Sequence, residues 1–161
     1  MMNIYVLQVI TGEELSIRDA LIKSGITAYV PRENKIIRVR GEWKKEEQIL
    51  FPSYIFVGCA LTDEIYYQVK AVSGVIKFLG AKTPEPISEA EAIQIGMLSP
   101  TADALEPSVI EFDEHGTPRI VSGILTRLPP IKIDRHARRA LVKLSHQGIN
   151  KYYPFSFVTD T

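Results

Sequence analysis

The sequence is poor in the residues that build most catalytic and metal centres. Its 161 residues include one cysteine, Cys59, which permits no internal disulfide and no cysteine-rich zinc site. Its three histidines, His115, His136 and His146, are never three or four residues apart, so their spacing does not favour a metal site on one helix. The patterns GxxxxGKS/T, GxGxxG and GxSxG do not occur. We therefore expect no enzymatic activity, no bound metal and no cofactor.

Net charge and long apolar runs are missing as well. Nineteen basic residues balance nineteen acidic ones, so no overall positive field favours indiscriminate binding to nucleic acids. No apolar run approaches the length of a membrane span, and the first ten residues, MMNIYVLQVI, lack the basic start and cleavage site of a secretory signal. The sequence therefore predicts a soluble cytoplasmic protein without a membrane partner, and we expect a monomer.

Residues 1–98 alternate between strand and helix patterns in the order β-α-β-β-α-β-α. Thr62 is placed to cap one helix, and Ser88 with Glu91 three residues later forms a capping-box pattern ahead of another. Gly41 marks a turn between two charged strand arms. This order is typical of an α+β fold of the ferredoxin-like sandwich type.

Residues 99–108, SPTADALEPS, carry two prolines and few large apolar groups and are predicted to be a linker. We expect few contacts to hold this segment, which would make it the preferred site of limited proteolysis. Five short strand-like runs follow within residues 109–161, separated by turn signals. That pattern predicts a second, small domain built as a β-barrel.

Two clusters of basic residues stand out. Residues 32–45 hold six Lys or Arg against two acids, with Trp43 near the predicted turn, and residues 127–143 hold six against one. Such clusters are usually solvated surfaces. They also suit contact with nucleic-acid phosphates, with the indole ring or an arginine stacked on a base. The candidate residues for nucleic-acid binding are Arg38, Arg40, Lys44, Lys45, Arg135, Arg138, Arg139 and Lys143.

The segment LFPSYIFVGC, residues 50–59, is apolar and carries three aromatic rings beside a proline. Strand alternation would direct Phe51 and Ile55 to one face of a sheet and Tyr54 and Phe56 to the other. A sheet covered by helices on one side needs only one apolar face. Either both faces are covered, or one of them is a docking surface for a partner.

Several segments in order resemble the N-terminal domain of the NusG/RfaH family of transcription elongation factors. They are IYVLQVITGEE, AYVPRE, the charged hairpin before LFPSYIFV, VKAVSGVIKFLG and PISEAEAIQIG. The resemblance covers about residues 3–98. It departs from the family pattern at Ser53, where the family has glycine between the proline and the tyrosine.

The second domain resembles a degenerate form of the SH3-like KOW barrel that follows in this family. Gly123 stands at the first glycine of the family's turn, whereas Arg127 or Leu128 occupies the place of the second. Within the family, the arginine-rich IDRHARRA segment is closest to LoaP-type antiterminators, specialised paralogs that act on particular operons. The altered turn puts the usual partner surface of the barrel in doubt.

The resemblance implies a transcription elongation or antitermination factor that binds the clamp helices of the RNA polymerase β′ subunit and suppresses pausing or termination. It implies further partners: a nascent RNA hairpin or non-template DNA, and Rho, NusA or ribosomal protein S10 through the barrel. By position, the family's polymerase-binding patch corresponds to Tyr5, Phe51, Pro52, Tyr54, Phe56, Val75 and Phe78.

Two other functions are compatible with the fold class. A ferredoxin-like sheet and a β-barrel can both bind RNA, so a stand-alone RNA-binding module is the alternative. SYIFV and GVIKFLG lack the alternating exposed aromatics of an RNA-recognition motif, which weakens that alternative. An enzyme on a ferredoxin-like scaffold would need a catalytic constellation that the sequence does not offer.

Overall fold

The structure is a computed structural model that describes residues 2–159. Its N-terminal domain contains an antiparallel four-stranded sheet. The strand order is β2-β5-β1-β6, and helices pack on the sheet as the ferredoxin-like prediction requires. The elements of this N-terminal domain are β1 Asn3–Val9, α1 Glu14–Lys23, β2 Thr27–Tyr29, β3 Arg32–Val39, β4 Glu42–Ile49, β5 Tyr54–Cys59, α2 Asp63–Lys70, β6 Val75–Phe78 and α3 Glu89–Leu98.

The predicted local signals are confirmed at three places. The Ile65 amide donates to the Thr62 hydroxyl at 3.2 Å at the start of α2. Ser88 and Glu91 form a complete capping box at the start of α3. The strands β3 and β4 pair as a separate hairpin around a turn at Arg40 and Gly41, where φ is 52° and 80°.

Five further strands form the C-terminal β domain, as the sequence predicted. They are β7 Ser108–Phe112, β8 Pro118–Ser122, β9 Lys132–Asp134, β10 Arg139–His146 and β11 Ile149–Val158, in the order β8-β7-β11-β10-β9. The pairing of β7 with β11 is parallel and brings Phe157 opposite Ser108. It joins the first and the final described strand of the domain.

Residues 99–107 connect the two domains but are held more firmly than the sequence suggested. The Leu105 amide donates to the Arg32 carbonyl at 2.8 Å, and the Asn34 amide donates to the Leu105 carbonyl at 2.7 Å. Glu106 accepts hydrogen bonds from the side chains of Asn34 and Lys45. The expectation of few contacts is therefore wrong, because the segment runs alongside β3 as a short parallel bridge.

The apolar core has two parts, one on each face of the four-stranded sheet. One part lies between the sheet and helices α1 and α2. The other is shared, because buried residues of β1, β5 and α3 are continuous with the buried residues of the β domain. No helix among residues 2–159 is long and apolar enough to cross a membrane.

Candidate functional site

The two faces of the four-stranded sheet are both apolar, and the strand register shows which residues share each face. Tyr5 lies opposite Val57, and both belong to the core beneath α1 and α2. Val6 lies opposite Phe56, and both belong to the core shared with the β domain. The face of Val6 and Phe56, which we name the covered face, is therefore closed by another part of the same chain.

The turn before β5 places a third aromatic ring on the covered face. Ser53 has φ of 75°, a left-handed conformation that interrupts strand alternation, and β5 begins only at Tyr54. Phe51 consequently packs against Phe56, with ring centroids 5.3 Å apart, instead of joining Ile55 as alternation predicted. The left-handed backbone also explains why a glycine suits this position.

The seven residues that the resemblance assigned to polymerase binding do not form one surface. Phe51, Tyr54 and Phe56 meet on the covered face, and Pro52 beside them is exposed. Tyr5, Val75 and Phe78 belong to the opposite core, where the Phe78 ring stacks on Tyr66 of α2. The structure therefore separates Tyr5, Val75 and Phe78 from the other four residues, and polymerase binding by any of the seven stays a prediction.

The β domain covers these aromatic rings with two side chains that the sequence analysis did not select. The His146 imidazole lies 5.4 Å from the Phe51 ring and 5.3 Å from the Tyr54 ring, measured between centroids. The Lys151 ammonium lies 5.4 Å from the Phe51 centroid and donates to the Leu50 carbonyl. Phe51 and Phe56 are at most 1% exposed as a result.

Helix α3 is joined to the turn between β10 and β11 by a set of hydrogen bonds. We name this set the α3 contact. The Glu91 carboxylate accepts from the Ser145 hydroxyl at 2.6 Å and from the Gly148 amide at 2.9 Å. The Gln94 side chain accepts from the Ser145 amide at 2.9 Å. The capping-box pattern identified Glu91, but it could not show that the same carboxylate also binds a second domain.

Strand β3 holds strand β11 through a second polar cluster, the β3 contact. The Glu33 carboxylate, 2% exposed, accepts from the amide and the hydroxyl of Ser156 at 3.2 and 3.0 Å. The Lys35 ammonium donates to the Pro154 carbonyl at 2.6 Å. Burial lowers the pKa of Lys35, and the nearby Glu33 carboxylate opposes this effect.

The basic residues predicted to bind nucleic acids are distributed over several places. Arg38 and Arg138, from different domains, both lie over the Trp43 ring. Arg135 lies over Phe112, and Lys45 forms an ion pair with Glu106 at 2.7 Å. Arg40 and Lys44 on the hairpin are exposed. On β10, Arg139 is half-buried and Lys143 is exposed.

Among residues 2–159, no group of three or more His, Cys, Asp or Glu side chains is arranged to hold a metal ion. The strongest candidate for a functional site is the covered face, to which the segment LFPSYIF contributes its rings. It presents buried aromatic rings, and it is closed by a domain that contacts it partly through polar bonds.

A family model described as "Transcription termination factor nusG" matches residues 2–96. The chain belongs to the NusG family. It is 36% identical to the transcription termination/antitermination protein NusG of Chlamydia pneumoniae over 100 residues, which are 56% of this chain and 55% of that protein. It is 27% identical to the NusG of Helicobacter pylori over 134 residues, 76% of each protein.

The NusG-family chain spans about half the length of the curated relatives that it matches first. Among solved structures, it resembles one described as "Domain interaction in Thermotoga maritima NusG", with a TM-score of 0.60 and 19% identity. That likeness covers 97% of this chain and 94% of the other, so it extends over both domains. It supports the two-part fold, and the domain interaction in its description is a property of that protein.

We expect docking between the two domains to depend on pH through His146. Burial lowers the pKa of this imidazole, while Glu91 raises it and Lys151 lowers it. Its Nδ1 is buried and has no hydrogen-bond partner in the part of the chain that the structure describes. The docked state therefore favours the neutral ring, and docking is at full strength above the ordinary histidine pKa and weakens below it.

We expect the equilibrium constant for docking to fall several-fold as the pH is lowered from about 7.5 to about 5.5, the range in which histidine titrates. The Glu91 carboxyl adds to the loss only at lower pH. Burial alone would raise the pKa of Glu91, but hydrogen bonds from Ser145, Gly148 and Ser88 leave it below its ordinary value. Hydrogen exchange of the Gly148 amide measures docking, and His146→Asn should remove the dependence in this range. A dependence that persists in His146→Asn would assign it to another group.

Proposed function

We propose that this chain is a non-enzymatic transcription elongation or antitermination factor that binds RNA polymerase through the covered face. The proposal rests on one observation above all. The rings of Phe51, Tyr54 and Phe56 gather on a single face of the sheet, although Phe51 lies outside the strand that carries the other two. Family membership supports the choice of partner, and the clamp helices of the β′ subunit are the element that fits an apolar face of this kind.

In this structure the β domain covers the face that would bind polymerase, so the chain is in a closed state. Phe51 and Phe56 cannot contact a partner while the β domain lies over them. Binding of polymerase then requires separation of the domains, and the apparent affinity equals the affinity of the open state multiplied by its population. The polar α3 and β3 contacts suit such a reversible arrangement, because their groups can be hydrated when the domains part.

We assign the protein to the operon-specific members of the family. A factor whose polymerase-binding face is closed at rest would act only where something opens it, whereas a general factor would act at every gene. Rho, NusA or ribosomal protein S10 would bind the β domain after separation, since its own apolar side faces the N-terminal domain in the closed state. The degenerate turn after Gly123 is consistent with a changed set of such partners.

Replacing Tyr54 with alanine tests the proposed surface. Tyr54 is half-buried, so its loss disturbs the core less than loss of Phe56. We expect Tyr54→Ala to weaken binding to purified bacterial RNA polymerase by about 1–3 kcal/mol, the range of an aromatic residue at the centre of an interface. Isothermal titration of polymerase with the full chain measures the effect.

Tyr67→Ala is the matched control, because Tyr67 is a tyrosine of α2 that is 69% exposed and lies against Tyr66 on the other side of the sheet. It should leave binding unchanged. Equal affinities of the two variants for polymerase, with both folded by circular dichroism, would place the polymerase site elsewhere.

A further inference from the structure

Trp43 lies beside two arginines that are a hundred residues apart in the chain. Arg38 faces Trp43 across the β3–β4 hairpin, and its guanidinium carbon lies 5.4 Å from the ring centroid. Arg138 belongs to the turn between β9 and β10 of the other domain, and its guanidinium carbon lies 4.5 Å from the same centroid. The two basic clusters of the sequence thus meet at one indole ring when the domains are docked.

The charges of these arginines are not balanced by ion pairs within the described part of the chain. Among residues 2–159, Arg38, Arg40 and Arg138 form no ion pair within 4.0 Å. The carboxylate nearest in the turn, Asp134, accepts from the Ala137 amide at 3.0 Å. Two like charges beside one ring repel each other, and an anion placed between them would relieve that repulsion.

Both hairpins also present an arginine in their turn. Arg40 and Arg138 have φ of 52° and 56°, the left-handed conformation that tight hairpin turns require. Each hairpin therefore has an arginine at its tip.

We propose that an RNA strand binds across the two domains at the Arg38–Trp43–Arg138 cluster and thereby holds them in the docked state. Guanidinium groups pair with phosphate oxygens in a bidentate manner, and the indole ring, 37% exposed, offers a surface on which an unpaired base can stack. Unpaired bases are accessible in RNA loops, which is why RNA fits better than a DNA duplex.

The proposal also gives the RNA a regulatory effect. A ligand that binds only the docked state shifts the equilibrium toward that state. Because coupling is reciprocal, RNA and any partner of the covered face would then weaken each other's binding. Only this consequence rests on the proposed function, and the experiment that follows uses no polymerase.

The first measurement is the salt dependence of binding to a short RNA stem-loop by the full chain. Arg138→Gln should lower the slope of log affinity against log salt by about one unit, as expected for one lost phosphate contact. Arg127→Gln is the matched control, since Arg127 is an exposed arginine of the same domain without an ion pair among the described residues. Equal slopes for the two variants would overturn the phosphate site. Tighter binding of a DNA stem-loop of the same sequence would overturn the choice of RNA.

The second measurement tests bridging. The amides of Ser145 and Gly148 report docking at the far end of β10 from Arg138, through their bonds to α3. Saturating stem-loop RNA should slow their hydrogen exchange at least severalfold in the wild type and leave it unchanged in Arg138→Gln. RNA that binds the wild type without slowing this exchange would show that it does not hold the domains together. Fluorescence emission of Trp43, the single tryptophan of the chain, reports in the same samples how much of the protein has bound RNA.

Discussion

Gly123→Ala is expected to destabilise the β domain by about 2–5 kcal/mol, since overpacking and a left-handed backbone each add a cost. A Cβ atom at this position would lie 2.3 Å from the Ser108 hydroxyl oxygen and 2.5 Å from the Ser108 Cα atom. The φ angle of Gly123 is 97°, so a side chain would be strained even without the clash. Urea denaturation followed by circular dichroism measures the free energy of unfolding.

Gly41→Ala separates the two contributions. Gly41 has a similar φ of 80°, but no atom lies within 4 Å of the place where its Cβ would be. We expect it to cost only about 1–2 kcal/mol, the penalty for a left-handed residue. Similar losses for the two variants would mean that Ser108 and Gly123 do not approach as closely as the structure shows.

Glu91→Ala should open the molecule and raise its affinity for RNA polymerase by roughly tenfold or more, because losing the bonds from Ser145 and Gly148 weakens docking by about 1.5–3 kcal/mol. Competition binding to polymerase measures the affinity, and exchange of the Ser145 amide, whose acceptor is Gln94, measures the opening. Glu89→Ala is the control, as Glu89 is an exposed acid in the same turn of α3.

Glu91 also caps its own helix, so a second variant distinguishes docking from helix stability. Gln94→Ala removes the acceptor of the Ser145 amide and leaves the capping box intact. It should also speed amide exchange and raise the affinity for polymerase. Each change should correspond to about 1 kcal/mol, the usual value of one neutral hydrogen bond. The outcome that would contradict competition is faster exchange with unchanged polymerase binding, read at the Ser145 amide in Glu91→Ala and at the Gly148 amide in Gln94→Ala.

Much of the fold was predictable because its signals are local. The Thr62 cap, the Ser88–Glu91 capping box and the turn at Gly41 each involve residues within four positions of one another. Family membership, fold class and the five strands of the β domain were likewise predicted correctly. Short-range hydrogen bonds and backbone preferences determine the local features, whereas the family was identified from the resemblance of several sequence segments.

The candidate site was predictable only in part, because its geometry depends on one dihedral angle and on contacts between distant segments. The left-handed Ser53 moves Phe51 to the covered face, and period-two alternation has no means of showing this. The packing of His146 on Phe51 joins residues 95 positions apart, and no local pattern encodes it.

The parallel pairing of β7 with β11 has a consequence for the order in which the protein is made. Strand β7 cannot complete its sheet until Phe157 has left the ribosome, because its partner is the last strand described. At a synthesis rate of about 5–20 residues per second, the roughly fifty residues between them take several seconds. During that interval a folded N-terminal domain would display Phe51, Tyr54 and Phe56 without a cover. A newly made molecule is then most competent to capture a partner, and most prone to aggregate, before its own synthesis is finished.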